Sequence, residues 1–113
     1  MPDDTARPTV ETVETLLAHP GIVRHLEGLK RLRVAVNPEA GEVSGHGRLA
    51  GTELVITGPV DAETAEEAFH LTRVIPREEG HLRIDFSYPR ADLWGRAELD
   101  AGGRVIDLDV EEG

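Results

Sequence analysis

The chain contains no cysteine, and Lys30 is its only lysine among 12 basic residues. Without cysteine the protein forms no disulfide, uses no thiolate nucleophile and offers no thiolate ligand to zinc. Aromatic residues are also scarce, at 4% of the 113 residues, so we expect a core of valine, leucine, isoleucine and alanine. The first residues lack a secretory signal pattern, and no apolar run approaches membrane-spanning length, so we expect a cytoplasmic location without membrane binding.

The chain also contains few basic residues. The 12 basic residues face 22 acidic ones, which gives a formal net charge of -10. Such a charge repels phosphate backbones and anionic lipid surfaces, so we do not expect nucleic acid or a membrane as a partner. Hydrophobic residues make up 39% of the chain, which is too much for a mainly disordered protein, and the length suits one domain.

Helical patterns occupy two parts of the chain. Thr9 is a suitable N-cap for a helix that ends near Pro20, and a second helical segment is predicted from Pro20 to about Leu29. Asp61 is a suitable N-cap for a further helix, which we expect to end before Pro76. Residues 1–8 carry no apolar periodicity and are predicted to be a flexible lead-in to a single α+β domain over 9–110.

The remaining segments alternate apolar and polar residues with a period of two, which predicts half-buried strands. Three such segments lie between residues 32 and 57, and three more between residues 82 and 110. The order α-βββ-α-βββ predicts an antiparallel sheet of about six strands in two three-stranded meanders, with helices on one face. The predicted core contains ten residues: Val34, Val36, Leu49, Ile56, Phe69, Ile84, Phe86, Leu99, Ile106 and Leu108.

The two groups of strands align without a gap at an offset of 50 residues. Identical pairs include Leu32 with Leu82, and Val55 with Val105. Because two amphipathic meanders of equal length share a binary pattern in any case, duplication and coincidence both remain open as explanations. If it is a duplication, the repeats span 9–58 and 59–110.

No residue pattern points to catalysis, a cofactor or a metal. The five histidines show no i, i+4 pair of the kind that binds zinc on a helix. Gly45 and Gly47 lie within a predicted meander instead of between a strand and a helix, so they indicate close helix packing and not a phosphate-binding loop. We therefore predict no catalytic residue, no bound metal and no cofactor, and we favour a non-enzymatic protein.

The outer face of the predicted sheet is the candidate binding surface. Strand alternation places Leu93 and Leu99 inward, so Trp94 is expected to point outward. Our first hypothesis is an interaction module that binds a protein partner or forms a homodimer through this face or a free strand edge. The alternative is a small enzyme or binding protein that holds a small anionic ligand in a concavity of the sheet. The candidate binding residues are Trp94, Arg96, Arg48, His46, Arg33 and Arg83.

Overall fold

The structure, a computed structural model, describes residues 9–37, 43–49, 51–58 and 60–113. These residues contain seven strands, three short α-helices and two 3-10 helices, at Glu78–Gly80 and Pro89–Ala91. The predicted lead-in at 1–8 lies outside these residues. The helices are α1 (Val10–Leu17), α2 (Pro20–Val23) and α3 (Ala62–Ala65). The strands are β1 (Arg31–Val36), β2 (Gly45–Leu49), β3 (Thr52–Thr57), β4 (Phe69–Pro76), β5 (Leu82–Tyr88), β6 (Leu93–Leu99) and β7 (Val105–Glu112).

All seven strands belong to one mixed sheet, in the order β2-β3-β1-β4-β5-β6-β7. Strand β1 lies in the interior and runs parallel to both neighbours, β3 and β4, whereas every other pair is antiparallel. The chain is thus a single compact domain with few helices, as expected. The predicted six strands and wholly antiparallel pairing are wrong, because β4 adds a strand and β1 pairs in parallel on both sides.

The two groups of strands pair differently. Strands β5, β6 and β7 form the predicted antiparallel meander. In the first group, β3 returns beside β1 in parallel, and β2 becomes the sheet edge. The register differs as well, since Gly45 lies opposite Ile56 whereas Gly95 lies opposite Val110. The segments 9–58 and 59–110 therefore share a hydrophobic pattern but not a topology.

Strand β4 replaces the second half of a predicted helix. The helix after Asp61 forms, and the Asp61 carboxylate accepts the Thr64 N–H at 3.0 Å, but it ends at Ala65. The register of β4 against β5 shifts between Leu71 and Arg73, so Leu71 and Val74 face the same side although they are three residues apart. This bulge produces a helix-like spacing in a strand, which explains the wrong prediction.

Both N-terminal helical segments pack against the inner face of the sheet. Thr9 caps α1 as predicted, in a reciprocal capping box with Thr12. The Glu14 side chain of α1 lies over β2, where a Cβ atom on Gly47 would be 2.9 Å from its carboxylate. Helix α2 is shorter than predicted, ending at Val23, with turns following it.

These helices lie across the inner face of the sheet. Glu14 lies against β2 at one edge, and Gly21 lies against Leu108 of β7 at the other. Helices α1 and α2 therefore cover the inner face between its two edge strands.

Most of the predicted core is buried. Eight of the ten predicted residues are buried, and Leu108 is partly buried against the core. The prediction is wrong for Ile106, since 51% of its surface is exposed. The register between β6 and β7 shifts beyond Glu98, so Leu99 pairs with Val105, and Val105 packs on the core where alternation had placed Ile106.

Candidate functional site

Trp94 points away from the core, as strand alternation predicted. Its neighbours Leu93 and Leu99 are buried, whereas 45% of the Trp94 surface is exposed. The indole Nε1–H donates a hydrogen bond to Glu111 Oε2 at 2.9 Å, across the β6–β7 pair. Exposure of a tryptophan to water is energetically unfavourable, and its side chain combines a large apolar ring with a polar N–H group. This position is therefore suited to contact with another molecule.

A shallow depression of about 330 Å³ surrounds the tryptophan. We call the outer surface that carries Arg83, Trp94, Arg96, Asp109 and Glu111 the Trp94 face. Both of its arginines are engaged by carboxylates: Arg83 Nε lies 3.2 Å from Asp85 Oδ1, and Arg96 Nη2 lies 3.7 Å from Asp109 Oδ2. Two arginines thus face three carboxylates in the depression, which leaves a net charge of -1.

The six candidate binding residues fall into two separate groups. Trp94, Arg96 and Arg83 line the same depression. Arg48 and His46 are exposed on β2, and Arg33 is exposed on β1. Five strand spacings separate β2 from β6, which is about 24 Å in a flat sheet, so Arg48 does not flank Trp94 as the offset of 50 residues suggested.

This arrangement gives little support to the anionic-ligand alternative. That hypothesis places His46 and Arg48 beside Trp94 in a concavity, but α1 and α2 cover the inner face of the sheet, and His46 and Arg48 on β2 lie five strand spacings from Trp94 on β6. The arginines of the Trp94 face already contact carboxylates, and an anion would meet a net negative depression. The geometry therefore favours a different use of this face.

The neighbouring strand β7 is an edge of the sheet. Among the residues that the structure describes, it pairs with β6 alone. The Gly113 N–H donates to the Asp92 carbonyl at 2.7 Å, in the same register that pairs Leu93 with Glu112. Because hydrogen-bonded and non-hydrogen-bonded pairs alternate in antiparallel ladders, the main chains of Leu108, Val110 and Glu112 direct their N–H and C=O groups away from β6. This edge can accept another strand.

The opposite edge, β2, is partly covered. The Arg48 N–H points out of the sheet and donates to Glu14 Oε2 of α1 at 2.8 Å. The strand is five residues long and contains two glycines. Short strands and covering side chains are the usual protection of a sheet edge. Of the two edges, β7 is thus the longer and the more open.

The acidic residues of β7 are not among the binding residues predicted from the sequence. Asp107, Asp109 and Glu111 are exposed and alternate with the more buried Leu108 and Val110. This alternation is visible in the sequence, but the significance of the row depends on β7 being an edge strand, which only the strand order shows.

A second polar cluster lies at the far end of the sheet. His81 Nδ1 is 3.1 Å from Glu98 Oε2, beside an open depression of about 690 Å³. Its remaining lining is Pro76, Arg77, Glu78 and Glu79. An imidazole oriented by a carboxylate is a component of general-base catalysis, but this described lining contributes no hydroxyl nucleophile for it to activate.

The fold and surface together define a small mixed-sheet domain with one open, acidic edge beside an exposed tryptophan. The described residues include no group of three or more metal-ligating side chains, and no described helix is long and apolar enough to cross a bilayer. Neither a family model, nor a curated protein, nor a solved structure matches this chain.

Proposed function

We propose that this protein is a non-catalytic interaction module that binds a protein partner through the free edge of β7 and the adjoining Trp94 face. The observation that carries the proposal is the juxtaposition of an edge strand, which within the described part of the chain is paired on one side only, with a tryptophan that is 45% exposed. Addition of a strand supplies main-chain hydrogen bonds, and an aromatic anchor supplies buried apolar area.

The β7 edge is held in place for this role. The Leu108 side chain packs under α2 at Gly21, and Glu112 Oε1 lies 2.8 Å from His25 Nε2 and 3.2 Å from Arg24 Nη2. Both contacts fasten the inner side of β7 to the helical segment. The outward main-chain groups are therefore presented from a fixed strand, which lowers the entropy that a partner must overcome.

Self-association, our first expectation from the sequence, is less well supported at this edge. Strand β7 carries four acidic residues and no basic one. In an antiparallel pair of two β7 strands, the row of Asp107, Asp109 and Glu111 would meet its own copy, and like charges directly opposite each other are destabilising. We therefore assign the edge to a different protein.

A proline at the edge tests the proposal. Val110→Pro removes an outward N–H that β6 does not use, so the β6–β7 ladder is retained while strand addition is blocked. We expect quantitative affinity capture from an extract of the source cells to find a protein that the wild-type chain retains. The amount captured should fall about tenfold with Val110→Pro and with Trp94→Ala, equivalent to about 1.4 kcal/mol of binding free energy.

The matched control is His46→Pro, which places a proline at an outward N–H of the other edge strand and should leave capture unchanged. Circular dichroism of each variant checks that the fold is intact. If no captured protein depends on Val110 and Trp94 in this way, or if Trp94→Ala unfolds the domain, the assignment of the working surface is wrong.

A further inference from the structure

We infer that the partner of this edge is an extended protein segment in which basic residues alternate with apolar ones. The inference rests on the proposed function, since it names the chemistry of the segment that the β7 edge would bind. It is carried by the two rows of side chains that β7 presents, one on each face of the sheet.

The outer row is uniformly acidic. Asp107, Asp109 and Glu111 are all exposed, and they lie opposite Glu98, Arg96 and Trp94 of β6. Arg96 is the single basic residue among these β6 neighbours. Its contact with Asp109 spans 3.7 Å, and both side chains are more than half exposed, so it offsets the charge of the row only weakly.

The geometry of the edge brings these acids close to an added strand. Since Leu108 and Val110 direct their main-chain groups outward, they would form the hydrogen-bonded pairs with a new strand that adds antiparallel to β7. Asp109 and Glu111 would then occupy the non-hydrogen-bonded positions, where facing Cα atoms approach to about 4.5 Å and side chains are closest. A lysine or arginine opposite each acid is the complement that this spacing favours.

The inner row is apolar at Leu108 and Val110 and ends in Glu112, which is already engaged by Arg24 and His25. Leu108 and Val110 are partly buried and pack against the core, with α2 above Leu108. The alternate residues of an added strand would lie beside this row, where apolar side chains extend the core and charged ones would lose solvent. The two rows together select a basic and apolar alternation.

Two further features favour a cationic partner. The chain as a whole has a net charge of -10, which increases the rate of encounter with a basic segment. The exposed Trp94 ring lies one strand in from the edge, within reach of a long cationic side chain placed opposite Glu111.

Synthetic octapeptides provide the test, since Trp94 is the only tryptophan and its fluorescence reports binding at this face. We expect an alternating lysine–valine peptide to bind saturably and change the fluorescence. An alternating glutamate–valine peptide should not bind. The lysine–valine peptide with every second main-chain nitrogen methylated should bind at least about tenfold more weakly, because it cannot complete the edge ladder.

Two charge-matched variants locate the site. The triple variant Asp107→Asn, Asp109→Asn and Glu111→Gln should weaken lysine–valine binding by about tenfold or more. The control variant Glu27→Gln, Glu66→Gln and Glu78→Gln removes the same number of charges from exposed positions elsewhere and should bind as wild type does.

Four results would overturn the inference: failure of the lysine–valine peptide to bind, equal binding of the methylated peptide, equal weakening by the two triple variants, or preferred binding of the acidic peptide. None of these results alters the capture experiment, in which dependence on Val110 and Trp94 would still support an interaction module with a partner of different chemistry.

Discussion

The side chain of Tyr88 makes the stability of this protein sensitive to alkaline pH. It is 1% exposed and packs against Phe69 with ring centroids 5.8 Å apart. Burial raises the pKa of its phenol above the usual value of about 10, Glu67 adds to the rise, and Arg90 opposes it. A raised pKa in the folded state means that its stabilising contribution is complete below about pH 10 and is lost as pH rises through the folded pKa.

We therefore expect the urea midpoint of wild type to fall above about pH 10, and the midpoint of Tyr88→Phe to fall less. Tyr88 is the only tyrosine, so phenolate absorbance follows its ionisation without interference. Lys30→Arg is the control, because it replaces the only lysine with a side chain that stays charged throughout this range, and it should retain the wild-type loss. Equal pH profiles for wild type and Tyr88→Phe would refute this account of the alkaline transition.

Among the elements, the β6–β7 pair depends on one glycine. A Cβ atom on Gly95 would overlap the Asp109 carbonyl oxygen and lie 3.0 Å from the Val110 Cα. These are main-chain atoms of the proposed binding strand, and they can yield only if β7 moves. We expect Gly95→Ala to lower the free energy of unfolding by about 1–3 kcal/mol, measured by urea denaturation, and to weaken partner binding at the edge.

Gly58→Ala is the matched control for this change. A Cβ atom at Gly58 meets nothing within 4 Å, and the residue is not among the glycines of positive φ. An alanine there restricts the unfolded chain, so we expect stability to be unchanged or to rise by up to about 1 kcal/mol. If both alanine variants are equally stable, the close approach of β6 and β7 is not a constraint on this strand pair.

At the scale of the whole molecule, the open edge of β7 could pair with a second copy of the chain. Acidic side chains along β7 discourage two copies from pairing, as charged residues on free edges commonly do. We expect sedimentation equilibrium to give the mass of one chain for wild type at micromolar concentration, and a concentration-dependent dimer for the Asp107→Asn, Asp109→Asn, Glu111→Gln variant. Adding Val110→Pro should restore the monomer.

The control variant with Glu27, Glu66 and Glu78 changed to glutamine loses the same charge and should remain monomeric. A dimer of the wild-type chain, unaffected by Val110→Pro, would instead support the homodimer expected from the sequence and place its interface away from β7.

Local sequence determined the second meander and the direction of Trp94. Strands β5 and β6 both form within the range 82–110 where alternation predicted strands, because regular alternation between turns specifies which residues face the core. Thr9 and Asp61 capped their helices as predicted, since capping depends on residues three apart in the chain.

Only the tertiary structure determined the strand order, the two register shifts and which of the candidate binding residues lie together. Alternation in β1 is compatible with parallel and antiparallel neighbours alike, and its partners β3 and β4 are set by packing between distant segments. The bulges at Thr72 and near Ile106 change which residues face the core. The residues of each strand are the same whether or not the bulge forms. Trp94 joined Arg96 and Arg83 but not Arg48, His46 and Arg33, because proximity across a sheet follows strand order, which a local pattern does not encode.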